Sequence, residues 1–331
     1  MEYKPPYTIT TKIVNLVAKI TECATRLSIR EEVDLKLRKA HRIQTIQGSL
    51  AIEGNTLSVG QITAILDGKH IVAPIKEIQE VRNAIRAYDR FLDWNPYSVD
   101  DLLEAHLTLT EGLIDQSGMF RMGGVGVVAD TEVIHVAPPA NRVLYLIKDL
   151  FAWLQQTDEH PLIASCVFHY EFEFIHPFAD GNGRTGRLWQ TLLLSRWNSR
   201  FAHLPVENMV YQKQHAYYDA INESSEKTDC APFIEFMLEA IYQAIITVTP
   251  EVTPVVTPVV TPEVERLINA LQEKPLGKQE ILLVLGLKDE KNLRELYIKP
   301  ALQSGLVELT IPDKPTSSKQ QYRITEKGKL I

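Results

Sequence analysis

Cysteine is scarce in this chain, and basic charge is not in excess. The 331 residues hold three cysteines, Cys23, Cys166 and Cys230, an odd number with no Cys-x-x-Cys pair. A disulfide framework and a cysteine zinc site are excluded, and reduced thiols in a cytoplasmic protein are expected. His106, His160, His169, His203 and His215 lack the His-x-x-x-His spacing of a metal site, so they read as core or surface residues. No apolar run follows the opening Met-Glu-Tyr-Lys-Pro-Pro, which predicts no secretion signal. The apolar region 241–260 is interrupted by Pro250, Pro254 and Pro258, which predicts no membrane span. With 45% hydrophobic and 23% charged residues and a net charge of −7, the composition is that of an ordinary globular protein long enough for two or more domains.

What is present is concentrated between residues 176 and 187, which read His-Pro-Phe-Ala-Asp-Gly-Asn-Gly-Arg-Thr-Gly-Arg. The stretch separates two apolar runs, Ile163 to Ile175 and Leu188 to Trp197, that both read as helices. A lone histidine or Gly-x-Gly beside such runs is ordinarily structural. An imidazole, a carboxylate, a carboxamide, three glycines and two guanidiniums together are what a site handling a phosphate-bearing group requires, because phosphoryl chemistry rests on positioning and charge neutralisation. Gly181-Asn182-Gly183 lets the backbone turn sharply and bring N–H groups to an anion. The helix expected from Arg184 onward adds its positive end to the same place. Arg184 and Arg187 share one helix face and suit successive phosphates. Asp180 is a hard oxygen ligand of the type that holds Mg²⁺ beside substrate phosphates. His176 supplies an imidazole, the side chain suited to taking a hydroxyl proton near neutral pH.

The stretch resembles the signature of the Fic (filamentation induced by cyclic AMP) family, His-Pro-Phe-x-[Asp/Glu]-Gly-Asn-Gly-Arg-x-x-Arg, at every specified position. The resemblance, which spans roughly residues 31 to 245, implies a mainly α fold. It also implies transfer of AMP from ATP, with Mg²⁺, to a Ser, Thr or Tyr hydroxyl of a target protein, releasing pyrophosphate. His176 is then the general base, Asp180 the Mg²⁺ ligand and Gly181 to Gly183 the phosphate cradle. Asn182 is expected on the α-phosphate, and Arg184 and Arg187 on the β- and γ-phosphates; Thr185 and Gly186 belong to the same nucleotide-binding run. The complete motif favours adenylyl transfer over phosphate or phosphocholine transfer, and self-modification is a further expectation.

Residues 49–55 read Ser-Leu-Ala-Ile-Glu-Gly-Asn at the end of an amphipathic run from about Glu31. Val33, Leu37, Ala40, Ile43, Ile46 and Leu50 step by three or four, and Gly54-Asn55 is a helix stop. By itself Glu53 is an ordinary last-turn acid. Beside the first motif, Ser49-x-x-x-Glu53-Gly54 resembles the inhibitory-helix motif of the family, whose Glu pairs with the second motif arginine, here Arg187. A carboxylate there takes the place of the γ-phosphate, which implies an enzyme restrained in cis.

Val125 to Val128 and Val133 to Val136 flank Ala129-Asp-Thr-Glu in a hairpin pattern stopped by Pro138-Pro139. The pattern alone suits a hairpin over the core. The resemblance makes it a flap, with Gly126, Val127 and Val128 aligning the target by strand addition, and Gly118-Met-Phe-Arg121 leads into it. Tyr217-Tyr218, opening a helix to about Asn222, resembles a tyrosine pair near the adenine, although tyrosines on a helix are more often core.

The helical pattern continues to about Ala244, with stripes at Ile75, Ile78, Val81, Ile85, Tyr88 and Phe91 and at Val143, Leu146, Ile147, Leu150 and Leu154, and with helix starts at Ser58 and Ser98. The organisation expected is an N-terminal extension (1–30), a catalytic domain (31–245), a linker (246–262) and a small carboxy-terminal domain (263–331). The linker repeats Thr-Pro-(Glu/Val)-Val, an extended spacer. Beyond it, a helix carrying Val264, Leu267, Ile268 and Leu271, helices at Lys278 to Leu285 and Asn292 to Gln303, and strands at Leu306 to Ile311 and Gln321 to Ile324 read as a winged helix, similar to those attached to many Fic proteins. Its 12 Lys and Arg against 10 Asp and Glu support DNA binding only weakly, so DNA reading, protein docking and homodimerisation stay open. The rival functions are a nucleotide-sensing DNA-binding regulator, and a Fic enzyme that removes AMP or uses another nucleotide.

Overall fold

The computed structural model describes residues 3–29, 35–124, 126–129, 132–248, 262–272, 274–287, 289–303, 305–310 and 320–325, with the backbone alone described at 26–29, 35–37, 262, 291, 295 and 303 and in the hairpin at 126–129 and 132–136. Residues 31–34 of the amphipathic run, the Thr-Pro repeats over 249–261 and the turn at 311–319 lie outside them. The chain divides into two units, Met1–Val252 and Thr253–Ile331.

The first unit is helical: α1 (Thr11–Ile29), α2 (Leu35–Ile52), α3 (Val59–Leu66), α4 (Ile75–Arg90), α5 (Val99–Thr110), the hairpin β1 (Gly126–Ala129) and β2 (Glu132–Val136), then α6 (Ala140–Gln156), α7 (Pro161–Ile175), α8 (Asn182–Trp197), α9 (Val206–Gln212), α10 (Gln214–Lys227) and α11 (Ala231–Val248). Local chemistry fixes the boundaries. Ser58 and Gln61 form a capping box ahead of α3, Ser98 accepts from Asp101 N–H ahead of α5, and Pro161 opens α7 where no N–H is needed.

Helices α7 and α8 form the centre. Both are buried nearly all round, α7 mostly with apolar side chains and α8 with polar ones, among them Arg184, Arg187 and Gln190, as well as apolar ones. Phe168, Phe172 and Trp189 are fully buried, each contributing about 1.5–3 kcal/mol through removal from water. Helix α11 is long and apolar enough for a membrane span, and its apolar face goes into this core through Phe233, Ile234, Met237, Leu238 and Ile241. The first thirty residues, set apart as an extension by sequence, belong to the same unit: Ile13, Leu16 and Ile20 of α1 are buried in the core, and Tyr3 donates to Glu171 Oε2 at 2.6 Å.

Helix α2 is seated closely on α9. A Cβ at Gly48 would fall 2.6 Å from Asn208 N, so only glycine permits this approach. Ile43, Ile46 and Leu50 of the expected stripe are buried, whereas Ala40 is exposed. Ile75, expected in the α4 stripe, is 87% exposed because it is the first residue of the helix, ahead of the packed turns that bury Val81 and Tyr88.

The second unit comprises α12 (Pro262–Ala270), β3 (Leu276–Gly277), α13 (Lys278–Leu285), α14 (Glu290–Asn292), a π-helical turn (Leu293–Ile298), α15 (Lys299–Gln303), β4 (Val307–Leu309) and β5 (Gln321–Ile324). The strands form an antiparallel sheet in the order β3-β5-β4 over a core that includes Val264, Leu267, Ile268 and Leu271. Strand β3, too short to show in the sequence pattern, completes the winged-helix arrangement.

Candidate active site

The dense motif is the turn between α7 and α8. His176 ends α7 in the left-handed region, at φ 50° and ψ 61°, which costs a non-glycine residue about 1–3 kcal/mol and persists only where neighbours enforce it. Arg121 enforces it. Buried to 3% exposure, Arg121 donates through Nε to His176 O (2.7 Å), through Nη2 to Pro138 O (2.5 Å) and Ile175 O (3.3 Å), and through Nη1 to Gly123 O (2.9 Å). Arg121 N–H adds a bond to Pro177 O. His176 Nδ1 lies 3.4 Å from Glu173 O. A carbonyl only accepts, so this contact puts the ring proton on Nδ1 and leaves Nε2 as the basic nitrogen.

Below the turn, the ring of His106 stacks on Phe178 at 3.6 Å, 3° from parallel. His106 Nδ1 accepts from Gly118 N–H (2.9 Å), so its proton sits on Nε2, which donates to Asp180 O (2.9 Å). Burial pushes the His106 pKa down to about 4, more than the Asp180 contacts raise it, and the ring stays a neutral brace. The Asn182 side chain closes the turn from inside: Nδ2 donates to Phe178 O (2.9 Å) and Oδ1 accepts from Phe178 N–H (2.8 Å).

Gly181, at φ 82°, is the N-cap of α8, and a Cβ there would lie 2.7 Å from the Thr110 methyl. From it the amides of Asn182, Gly183 and Arg184 open the helix, ahead of Thr185 N–H, the first to reach back to Gly181 O (3.0 Å). The half-exposed Asp180 carboxylate accepts from Gly181 N–H (2.5 Å) and pairs with Arg184 Nη2 (3.1 Å). Arg184 is buried, and its Nε and Nη1 have no hydrogen-bond partner among the described residues. Nη1 lies 3.9 Å from Glu80 Oε1, which leaves donors suited to an anion.

Glu53 closes the site from the turn that follows α2. Its Oε1 accepts from Arg187 Nη2 at 2.7 Å, while Arg187 Nε donates to Ser49 Oγ (3.2 Å) and Nη2 to Ser49 O (2.9 Å). Arg187 is 2% exposed; burial works against its charge, but Glu53, together with Tyr217 and Glu173, outweighs this and holds the pKa above the ordinary arginine value. A Cβ at Gly183 would clash with Glu53 Oε1 and lie 2.8 Å from Arg187 Nη1. The carboxylate is therefore against the first turn of α8, where an anion is favoured. Beside it lies a pocket of about 620 Å³, its open mouth included, lined by the ionic groups of Glu53, Glu173, His176 and Arg187, by Gly183, and by Tyr170, Phe174, Tyr217, Tyr218 and Ile221.

The Fic/DOC family model matches residues 96–194, and that of the filamentation induced by cAMP protein Fic-like, C-terminal domain, matches residues 262–325. Protein adenylyltransferase Fic of Aedes aegypti is 32% identical over 230 residues, 64% of this chain and 43% of its own length. Protein adenylyltransferase fic-1 of Caenorhabditis elegans is 33% identical over 204 residues, 57% of this chain and 37% of its own length. The chain thus spans less than half the length of these curated relatives. The crystal structure of a Fic family protein from Desulfovibrio desulfuricans G20 aligns with a TM-score of 0.73 and 46% identity over 98% of this chain and 99% of that one. This chain is a member of the Fic family.

Within this Fic fold, His176, Gly183, Arg187, Glu53 and Tyr217 share one cavity, with Ser49 under Arg187 and with Asp180 and Arg184 on the adjoining turn. Three residues of the expected phosphate-binding run serve other ends. The Asn182 carboxamide is consumed by Phe178, so the contribution of Asn182 to an anion site is its backbone amide. Thr185 is fully buried and donates to Gly181 O (2.8 Å). Gly186 faces α7, where a Cβ would lie 2.7 Å from Glu173 Oε1. The helix also begins at Asn182, two residues before the expected start. Gly126, Val127 and Val128 lie on β1, paired with Val136, His135 and Val133 with a register shift between Val127 and Val128. Helix α10 extends to Lys227, and Tyr217, fully buried, is hydrogen-bonded through its hydroxyl to His169 Nε2 (3.3 Å). Sequence reasoning missed Arg121, His106 and Glu173 as site residues; the phrase Gly118-Met-Phe-Arg121 held the one available signal, for Arg121.

Proposed function

We propose that this Fic protein is a protein adenylyltransferase restrained by its own Glu53. The observation that carries the reading is the shared cavity: a tautomerically fixed imidazole, the glycine-opened start of a helix and a buried arginine face one space. ATP would place its phosphates along the amides of Asn182, Gly183 and Arg184, with Arg184 and Arg187 neutralising the outer charges. Asp180 fits a Mg²⁺ site of the kind that combines one carboxylate with substrate phosphates, since its carboxylate is half exposed beside that turn. The ion would supply further charge neutralisation of the triphosphate.

His176 Nε2 takes the proton of a Ser, Thr or Tyr hydroxyl of the target. The alkoxide oxygen attacks the α-phosphorus, the bond from that phosphorus to the bridging oxygen breaks, and pyrophosphate leaves. The β1–β2 hairpin is the proposed guide for the target segment, by strand addition. While Glu53 holds Arg187, the γ-phosphate lacks its partner and meets a carboxylate instead, so ATP is held unproductively. The test is incubation with Mg²⁺ and ATP labelled at the α-phosphate, with GTP, CTP and UTP in parallel, using the natural chain, Glu53→Gly and His176→Ala. Label on protein with Glu53→Gly and none with His176→Ala is the expected result; equal labelling of all three overturns the reading.

A further inference from the structure

Glu173 is a carboxylate on the wall of a cavity assigned above to a polyanion, and no step of the proposed transfer uses it. Its Oε1 is buried without a hydrogen-bond partner among the described residues, 3.7 Å from His169 Nε2. His169 gives it no proton in the neutral form: His169 Nδ1 faces the carbonyl oxygen of Gln190 at 2.7 Å and carries the ring hydrogen, and Nε2 receives the Tyr217 hydroxyl. Space for the carboxylate is made by Gly186, where a Cβ would lie 2.7 Å from Oε1.

Its place along the cavity limits what it can accept from. Tyr170, Glu173 and His176 step along α7 at intervals of three, each about 4.5 Å of helix rise from the next. The Tyr170 end is aromatic and closes with the contact between Tyr170 OH and Ser225 Oγ (3.1 Å), whereas the His176 end adjoins Gly183 and Arg187. A planar base suits the first end and phosphates the second. The carboxylate between them repels phosphate and accepts from hydroxyls, and the vicinal hydroxyls of a ribose stand between base and phosphates in a nucleotide. Resting on the nucleotide-binding reading, we propose that Glu173 receives the ribose hydroxyls and makes this site select ribonucleoside over 2′-deoxyribonucleoside triphosphates.

The experiment measures Kd by titration calorimetry for Mg²⁺·ATP and Mg²⁺·2′-deoxy-ATP on the full chain carrying Glu53→Gly, alone and combined with Glu173→Gln or Glu173→Ala, with thermal melts confirming that each variant is folded. A charge-assisted hydrogen bond to the hydroxyl predicts a preference for ATP of about tenfold or more with Glu173 present. That preference is reduced by Gln, which keeps one acceptor, and is absent with Ala, where ATP loses more affinity than 2′-deoxy-ATP, which has only its 3′-hydroxyl to lose. A preference that survives Glu173→Ala, or equal weakening of both nucleotides, overturns the assignment and leaves the transferase reading intact. Failure of every variant to bind ATP overturns both.

Discussion

Arg187 Nη2 donates to Glu53 Oε1 at 2.7 Å across 134 positions of sequence, and this joins the end of α2 to the first turns of α8. The Arg187 side chain is 2% exposed and that of Glu53 37%, so the arginine is the fixed partner and the glutamate the replaceable one. Glu53→Gly should raise AMP transfer by about tenfold or more, the worth of one charge-assisted bond returned to the γ-phosphate. The same variant leaves a buried cation short of its counter-charge, so its melting temperature should fall without nucleotide and recover with Mg²⁺·ATP. A rate equal to that of the natural chain would show that Glu53 restrains nothing.

His176→Ala should lower transfer by roughly 10²–10⁴-fold while ATP still binds, because the ring acts on the hydroxyl proton and the phosphates are held elsewhere. Single-turnover rates beside equilibrium binding separate the two. Loss of ATP affinity equal to the loss of rate would assign His176 to binding.

Arg121→Ala removes four side-chain hydrogen bonds to the carbonyls that fix His176 and the foot of the hairpin. Unsatisfied buried acceptors predict a destabilisation of about 2–4 kcal/mol in urea melts, and the freed turn predicts a lower kcat with a smaller change in ATP affinity. A variant as stable as the natural chain contradicts this role.

The His106 pKa is lowered on folding from an ordinary 6.5 to about 4. Between these values the unfolded chain binds the proton and the native chain does not, so stability falls as pH is lowered through this window. This residue alone should contribute a loss of roughly 2–3 kcal/mol by pH 4. The pKa values of His41, His160 and His203 are also lowered, chiefly by burial, and act in the same direction. Melting temperatures from pH 7 to pH 4 should show a shallower acid loss for His106→Gln than for the natural chain.

Exchanging Asp180 for Asn keeps the shape of the turn and removes the charge. Transfer should then require much higher Mg²⁺, while the melting temperature at pH 7 changes little because the carboxylate is half exposed. An unchanged Mg²⁺ dependence would place the ion elsewhere.

Much of this molecule is legible from short-range pattern. The His176 to Arg187 run and the Ser49 to Glu53 run are local, so residue type and spacing identify them, and periodicity places α4, α6, α7 and α13 within a few residues. Arg121 and His106 are different. Each acts on a carbonyl more than fifty positions away, at His176 and Asp180, and nothing near either residue announces the partner. Asn182 shows the opposite limit: the motif makes it polar and well placed, but only the folded turn shows its carboxamide spent on Phe178.

By itself the sequence determined the chemistry on offer: an imidazole, a carboxylate, glycines and two guanidiniums at a helix start, and a second carboxylate on a helix of its own. Tertiary structure decided which of them meet. Packing of α2 on α9 through Gly48 brings Glu53 to Arg187, and packing of α7 on α8 through Gly186 sets Glu173 in the cavity wall. Spacing along a chain fixes neighbours within a turn of helix, whereas contacts between distant segments depend on how whole helices bury their apolar faces.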